Sequence, residues 1–444
     1  MDKTLFLGID VAMAENACCP LLEDGTEARR RFTIANNLPG AQHLVKEILV
    51  LMERFGLNRL LIGLEATNLY WWHLACFLTS CPELAPFQPR VYAFNPRLIR
   101  AFKKALADSG KSDIADAYAV AERLRFGRLP APFMVNEVYQ PLQRLTRFRC
   151  HLMHQITTEK NYFLTFLFLK FSEYQNLDPL SNTFGAASQA VLMEYLTVDE
   201  IAAAPLEELA SLLAEESRNH FPSPEAVAAA VKRAAKDSYR PHPNLNEPLN
   251  LILGATLENI RTFSQQVKKV DKAIEREVRN FPNTLGSIRG LGPVFVAGIL
   301  AEIQDINRFP DSAAVAKFAG LFWRTRESGS FQAEETLMGK SGNPYLRYYL
   351  IEGANSVRMH TAEYGRYYQA KYNESTKHKH KRALVLTARK LVRLVDAMLR
   401  RNQLYIPPPL NLNEEVSKQG ITKARPAKQH RYRLPASHSL AACA

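Results

Sequence analysis

Asp113 and Asp116 stand three residues apart in the Ala-rich segment Lys111-Ser112-Asp113-Ile114-Ala115-Asp116-Ala117. In a helix that spacing puts both carboxylates on one face. Two further acids close apolar runs upstream: Asp10 ends Leu5-Phe6-Leu7-Gly8-Ile9, and Glu65 ends Leu60-Leu61-Ile62-Gly63-Leu64. Carboxylates gathered from separate elements repel one another unless divalent cations neutralise them, and hard oxygen ligands suit Mg²⁺ or Mn²⁺. The quartet Asp10, Glu65, Asp113 and Asp116 therefore outlines a metal-dependent site for cutting phosphodiester bonds.

A second constellation lies near the other end of the chain. Ser328 sits in Arg324-Thr325-Arg326-Glu327-Ser328-Gly329-Ser330, where arginines can hold a phosphate while a hydroxyl attacks it. A surface Ser-Gly loop would read the same, and Ser330 lies close enough to compete. Lys340 and Arg347 add positive charge, interleaved with Tyr345, Tyr348 and Tyr349, residue types that more often fill a core. Before them, Ser287-Ile288-Arg289-Gly290-Leu291-Gly292-Pro293 has the form of a helix-hairpin-helix turn. There Gly290 and Gly292 would let backbone amides at a helix start approach a phosphate. A plain glycine turn between packed helices fits those residues as well.

The elements needed to position the acids are legible in outline. Residues 4–12, 15–23 and 27–35 read as three strands, with a turn at Glu23-Asp24-Gly25. A helix follows from Pro39 to about Phe55, a strand over Arg59 to Leu64 and a helix over Leu69 to Thr79. A strand over Arg90 to Phe94 and a helix over Pro96 to Leu106 complete the set. The order βββαβαβα is that of a ribonuclease H-like (RuvC-like) fold, in which acids at the ends of the first and fourth strands meet others from a late helix.

Two long apolar stripes come next, Leu145 to Leu167 and Leu257 to Val278, stepping by three and four residues. They predict a coiled coil, either antiparallel within the chain or between chains. The interval 172–248 reads as a helical insertion without visible chemistry. The expected organisation is α/β plus all-α. An acid-bearing domain spans 1–140, the coiled coil and its insertion 141–280, a mainly helical serine-bearing domain 281–405, and a basic disordered tail 406–444.

Composition narrows the partners. A formal charge of +13 and a sequence pI near 9.4 point to a polyanion, and nucleic acid suits a protein that also carries an acidic metal site. Lys377, Lys379, Lys381, Arg382, Arg389, Lys390, Arg393, Arg400 and Arg401 face only one acid, Asp396, within their segment. The six cysteines show no paired CxxC spacing, so neither a zinc site nor a disulfide framework is indicated, and a reducing cytoplasm fits. No signal peptide is expected, since Asp2 and Lys3 lead straight into the first strand. The apolar run Tyr162 to Phe171 is too short to span a membrane.

Taken together these motifs resemble the DEDD-plus-serine transposases of insertion-sequence family one-ten, recombinases guided by a bridge RNA. The resemblance runs from residue 4 to about 400. It rests on Gly8-Ile9-Asp10, Gly63-Leu64-Glu65-Ala66-Thr67, Lys111 to Ala117, the Arg289 to Pro293 turn, Lys317-Phe318-Ala319-Gly320-Leu321, Glu327-Ser328-Gly329 and Lys340-Ser341-Gly342-Asn343. It implies Mg²⁺ (or Mn²⁺) on Asp10, Glu65, Asp113 and Asp116, and Ser328 as nucleophile forming a 5′-phosphoserine link to DNA. It also implies nucleic-acid contacts from Gly290, Gly292, Arg324, Arg326, Lys340 and Arg347. The partners it implies are donor and target DNA, a noncoding bridge RNA, and copies of the chain itself in a dimer and a tetrameric synapse. The expected location is the bacterial cytoplasm, at the nucleoid when active. Two other readings differ in class: a metal-dependent Holliday-junction resolvase or nuclease with water as nucleophile, and an RNA-binding scaffold whose acids only fold the domain.

Overall fold

A computed structural model describes residues 3–104, 113–134, 136–323, 327–328, 331–332, 338–339 and 341–407. The basic tail beyond 407 falls outside them. The chain divides into two compact units, with the break between Glu137 and Val138.

The N-terminal unit is built on strands β1 (Thr4–Val11), β2 (Glu15–Leu21), β3 (Phe32–Ala35), β4 (Arg59–Glu65) and β5 (Arg90–Phe94). They form one sheet of order β3-β2-β1-β4-β5. β1 runs antiparallel to β2 and parallel to β4, and β4 runs parallel to β5. The central strands are near-continuous apolar runs because both faces of the sheet are covered. On one face Leu5, Leu7 and Ile9 pack with Leu44 and Ile48 of α1 (Leu38–Phe55) and Leu74 and Leu78 of α2 (Trp72–Ser80). On the other, Leu61, Tyr92 and Phe94 meet Ile99 of α3 (Pro96–Lys103) and Val120 and Leu124 of α4 (Asp113–Arg125).

Local signals set several of these boundaries. The Asn37 side chain caps α1 by accepting from the Gly40 N–H, and Gly56 ends the helix at φ +58°. β3 is shorter than expected, because residue 27 makes only an isolated bridge to Leu21 and pairing resumes at Phe32. α2 starts three residues late: Asn68 takes φ +51° and its carbonyl accepts from the Trp71 indole N–H, so the chain turns before it coils. The end expected for α3, at Leu106, lies outside the described residues.

The second unit contains two long helices, α5 (Gln140–Lys170) and, after α6 (Tyr174–Leu177), α7 (Ala186–Glu194), α8 (Val198–Ala203), α9 (Leu206–Glu216) and α10 (Pro224–Asp237), the helix α11 (Asn246–Glu277). Arg149 pairs with Asp271 and Lys170 reaches Asn250, so α5 and α11 run antiparallel within one chain. Ile274 is fully buried and Val267 nearly so. These two positions are therefore buried within the chain and report on folding, whereas Phe148 on the α5 stripe is exposed. The insertion helices pack on the same core through Val191, Ile201, Leu209 and Val231. At their junction with α5 the buried Lys170 ammonium donates to the carbonyls of Leu192 and Tyr195 and to Asn250 Oδ1, using all three protons. Burial lowers its pKa to about 8.

Helices α12 (Pro293–Ile303), α13 (Ser312–Phe318), α14 (Pro344–His360), α15 (Ala362–Glu374) and α16 (Lys379–Arg401) complete this unit. A two-stranded hairpin of β6 (Glu327–Ser328) and β7 (Phe331–Gln332) lies between α13 and α14. Tyr349 is core, as its type suggests: its ring abuts Gly298 and its hydroxyl donates to the Thr146 carbonyl at 2.7 Å. Among the described residues no helix is long and apolar enough to cross a membrane.

Candidate functional site

Strand periodicity places the first two acids. Side chains alternate across a sheet, so with Leu5, Leu7 and Ile9 facing α1, Gly8 and Asp10 face α4. Ile9 is in register with Leu64, which sets Asp10 beside Glu65 at the carboxyl ends of two adjacent parallel strands. α4 approaches this edge closely because Gly8 has no side chain: a Cβ there would lie 2.2 Å from the Ala117 carbonyl oxygen and 2.3 Å from the Ala121 nitrogen. The helix runs antiparallel to β1, since Arg125 near its end reaches back to the Glu23 carbonyl while Ala117 lies over Gly8. Its first turn therefore points toward Asp10. Asp116 belongs to that turn, which Asp113 begins. The Asp113 side chain is outside the described residues.

Burial, more than neighbouring charge, governs the electrostatics at Glu65. Burial pushes the Glu65 carboxyl above its usual range, the Asp116 charge adds to the effect, and a 3.2 Å hydrogen bond from the Thr67 hydroxyl works against it. Arg100 and Lys103 of α3 also pull it back. Lys103, a residue that sequence reasoning passed over, forms an ion pair with Asp116. Among the described residues no three acidic, His or Cys side chains stand close enough to hold a cation. One carboxylate of the set is instead turned to an ammonium. The donor type, carboxylate oxygens from two strand ends and a helix turn, is the one that suits Mg²⁺ or Mn²⁺.

The serine segment is held differently. Ser328 pairs with Phe331 in the β6–β7 hairpin. Trp323 bridges Met338, and the Gly339 N–H donates to the Phe322 carbonyl at 2.7 Å, so the chain leaves and returns at one point. Arg324, Arg326, Ser330, Lys340 and the Ser328 side chain are outside the described residues. Just beyond, Gly342 adopts φ +142° and its Cα lies tight against the Phe318 carbonyl, where a Cβ would be 2.4 Å away. Asn343 then caps α14 by accepting from the N–H groups of Tyr345 and Leu346. Its side-chain amide donates to Glu302 at 2.6 Å.

Glu302, 2 % exposed, was not anticipated from sequence. Arg147 of α5 grips it with two bonds, 2.7 and 2.9 Å, and Gln143 adds a third partner. The Arg147 guanidinium also lies over the Tyr345 ring. The one available signal was a lone acid in the apolar run Val294 to Ile303. Arg347 is half-buried and donates to the Ala319 carbonyl at 3.1 Å. Gly290 adopts φ +94° and packs against His360 and the Ser356 carbonyl, whereas the space around Gly292, the residue that caps α12, is open. The turn thus has a packed side and a free side.

Comparison with known proteins finds a match in each region. Residues 7–171 match the DEDD transposase model of the IS110 type, and residues 283–369 match the model for transposases of the IS116/IS110/IS902 family. An uncharacterised 44.8 kDa protein of insertion element IS116 from Streptomyces clavuligerus is 25% identical over 316 residues, 70% of this chain and 77% of that protein. The transposase for insertion sequence element IS1111A of Coxiella burnetii is 32% identical over 123 residues, 27% of this chain and 32% of that one. The pilin gene-inverting protein of Moraxella bovis is 24% identical over 416 residues, 91% and 98% of the two chains. The chain belongs to the IS116/IS110/IS902 family of transposases and is an enzyme of DNA transposition and recombination.

Proposed function

We propose that this transposase cuts and rejoins DNA with Ser328 as nucleophile and with Asp10, Glu65, Asp113 and Asp116 as the ligands of Mg²⁺ or Mn²⁺. The observation that carries the reading is the placement of Asp10 and Glu65 on adjacent strand ends, facing the first turn of α4. The sheet order β3-β2-β1-β4-β5 with α4 across its face supports a ribonuclease H-like unit. When bound, the metal would stabilise charge on the phosphate and the leaving oxygen.

The Ser328 Oγ attacks the phosphorus, an Oγ–P bond forms, and the P–O3′ bond breaks. The hydroxyl proton ends on the departing 3′ oxygen. The 5′ phosphate stays on the serine, so the phosphodiester energy is kept for rejoining, which reverses the step with a different 3′ hydroxyl. Gly339 and Asn343 fix the base of the hairpin that bears Ser328, and Gly290 and Gly292 offer a turn for backbone approach to phosphate. Ser328→Ala should abolish a denaturation-resistant adduct with 5′-phosphate DNA, and Ser330→Ala should retain it. Mapping of the adduct to another residue would remove Ser328 from the role. Cleavage without any adduct would favour a resolvase or nuclease that uses water.

We further propose that a noncoding bridge RNA guides donor and target DNA, in a synapse built from several copies of the chain. The net charge of +13 supports a polyanionic partner, as do the exposed Lys377, Lys379, Lys381, Arg382, Arg393 and Arg401 at and around α16. Neutralising those residues should weaken binding with little dependence on sequence. It should also shallow the salt dependence by roughly 0.7 to 0.9 log units for each phosphate the protein then leaves unneutralised. Recombination at full rate by nuclease-treated, RNA-free protein would exclude guidance.

A further inference from the structure

The acid site already contains a cation of its own. Lys103 closes α3, and its side chain, 17% exposed, forms an ion pair with Asp116 of α4. Elsewhere on α3 the basic side chains turn outward: Arg97 and Arg100 are exposed, as is Lys104 just past its end. Among the described basic residues of α3, Lys103 is the one in an ion pair with a carboxylate of the proposed metal set. Its stem is covered, which limits its freedom to swing into solvent, and Arg100 stands near enough to act on Glu65 from the same helix.

Resting on the reading of Asp116 as a metal ligand, we infer that Lys103 is an exchangeable counter-cation, holding Asp116 until a divalent ion displaces it. An ammonium is a point charge that neutralises one carboxylate without demanding coordination geometry. It can therefore compensate the Asp116 charge in the metal-free protein and keep the first turn of α4 against β1. A divalent ion gathering the same oxygens must break the pair, so metal affinity is lowered by whatever the pair is worth. Lys103 is a positioning residue in this account. It acts through Asp116 and sets how readily the site loads.

Isothermal titration of the full-length protein with Mn²⁺ tests the inference directly. Lys103→Met, which keeps the covered stem and removes the charge, should bind Mn²⁺ about threefold to fivefold more tightly, the range expected for removal of a partly exposed ion pair. Lys103→Arg should bind more weakly than the native protein, because a guanidinium can hold Asp116 with two bonds. In an Asp116→Asn background, Lys103→Met should change the affinity far less, because only the weaker action of Lys103 on Glu65 is then removed. Equal Mn²⁺ affinity in native, Met and Arg forms would overturn the exchange while leaving the metal site intact. Mn²⁺ binding by none of them would overturn the metal reading and the exchange together. Should Lys103→Met fail to fold, the Arg form alone decides: affinity equal to or above native sinks the proposal.

Discussion

Asp10 and Glu65 are aligned by a sheet ladder that pairs them through neighbours one residue away, Ile9 with Leu64. Asn343, which anchors the chain beyond Ser328, depends on Glu302, 41 residues earlier, and through it on Arg147, 155 residues before that. The first arrangement uses backbone hydrogen bonds that any apolar residue can make. The second uses a buried charge that is stable only while all its partners are present. A site held by a ladder tolerates side-chain change away from its ligands but not a change in backbone spacing. A segment held by a polar node has the reverse sensitivity.

The largest effect should come from breaking the node. Glu302→Ala removes the acceptor of Arg147 and Asn343 and leaves a guanidinium without its partner, at a cost of about 3–5 kcal/mol. Loss of protection by hydrogen exchange should concentrate in α12, α14 and the middle of α5, with the strands of the N-terminal unit unchanged. Protection that falls equally in β1 and β4 would show that the loss is not confined to the unit that holds the node.

The complementary break is Gly8→Ala, where the added Cβ meets backbone atoms of α4 that have no rotamer to yield. Overpacking of this kind costs about 1–3 kcal/mol. The helix must also move away from β1, carrying Asp116 with it, so DNA cleavage should fall to background although the fold persists. Gly63→Ala is the control: its Cβ would meet the side chains of Val120, Phe94 and Leu124, which can shift. Retained cleavage in Gly8→Ala would mean that Asp116 need not sit where the ladder puts it.

The same contrast explains what was legible in the sequence. The apolar runs Leu5 to Ile9 and Leu60 to Leu64, each closed by an acid, announced both strands, and the Ala-rich segment with Asp113 and Asp116 three residues apart announced the helix. The face each strand acid takes emerges only from the register and from what packs on either side of the sheet. Apolar periodicity likewise marked α5 and α11, while the antiparallel pairing within one chain emerges only from Arg149 with Asp271 and Lys170 with Asn250. Lys103 escaped notice because nothing in α3 distinguishes it from Arg97, Arg100 and Lys104 until Asp116 is placed beside it. Glu302 escaped because a single acid in Pro293–Ile303 has no periodic signature, and its partners come from distant helices.

The smallest effect concerns the cost of the acid site itself. The Glu65 carboxyl titrates above its ordinary value, chiefly through burial and then through Asp116, so the folded state binds its proton more tightly than the unfolded chain does. Between the ordinary carboxylate pKa and the raised one the native state holds more protons, and stability falls as pH rises through that window. Above it the full penalty of a charged, half-buried Glu65 is present; below the unfolded pKa it is absent. Glu65→Gln, which cannot ionise, should therefore be more stable than the native protein at pH 7. Because solvent still reaches the group, the gain should be small, roughly 1–2 °C in Tm, and it should vanish when both proteins are melted near pH 4. A lower Tm for Glu65→Gln at pH 7 would mean that the hydrogen bond from Thr67 and the cations of α3 outweigh burial. The acid site would then contribute to stability rather than cost it.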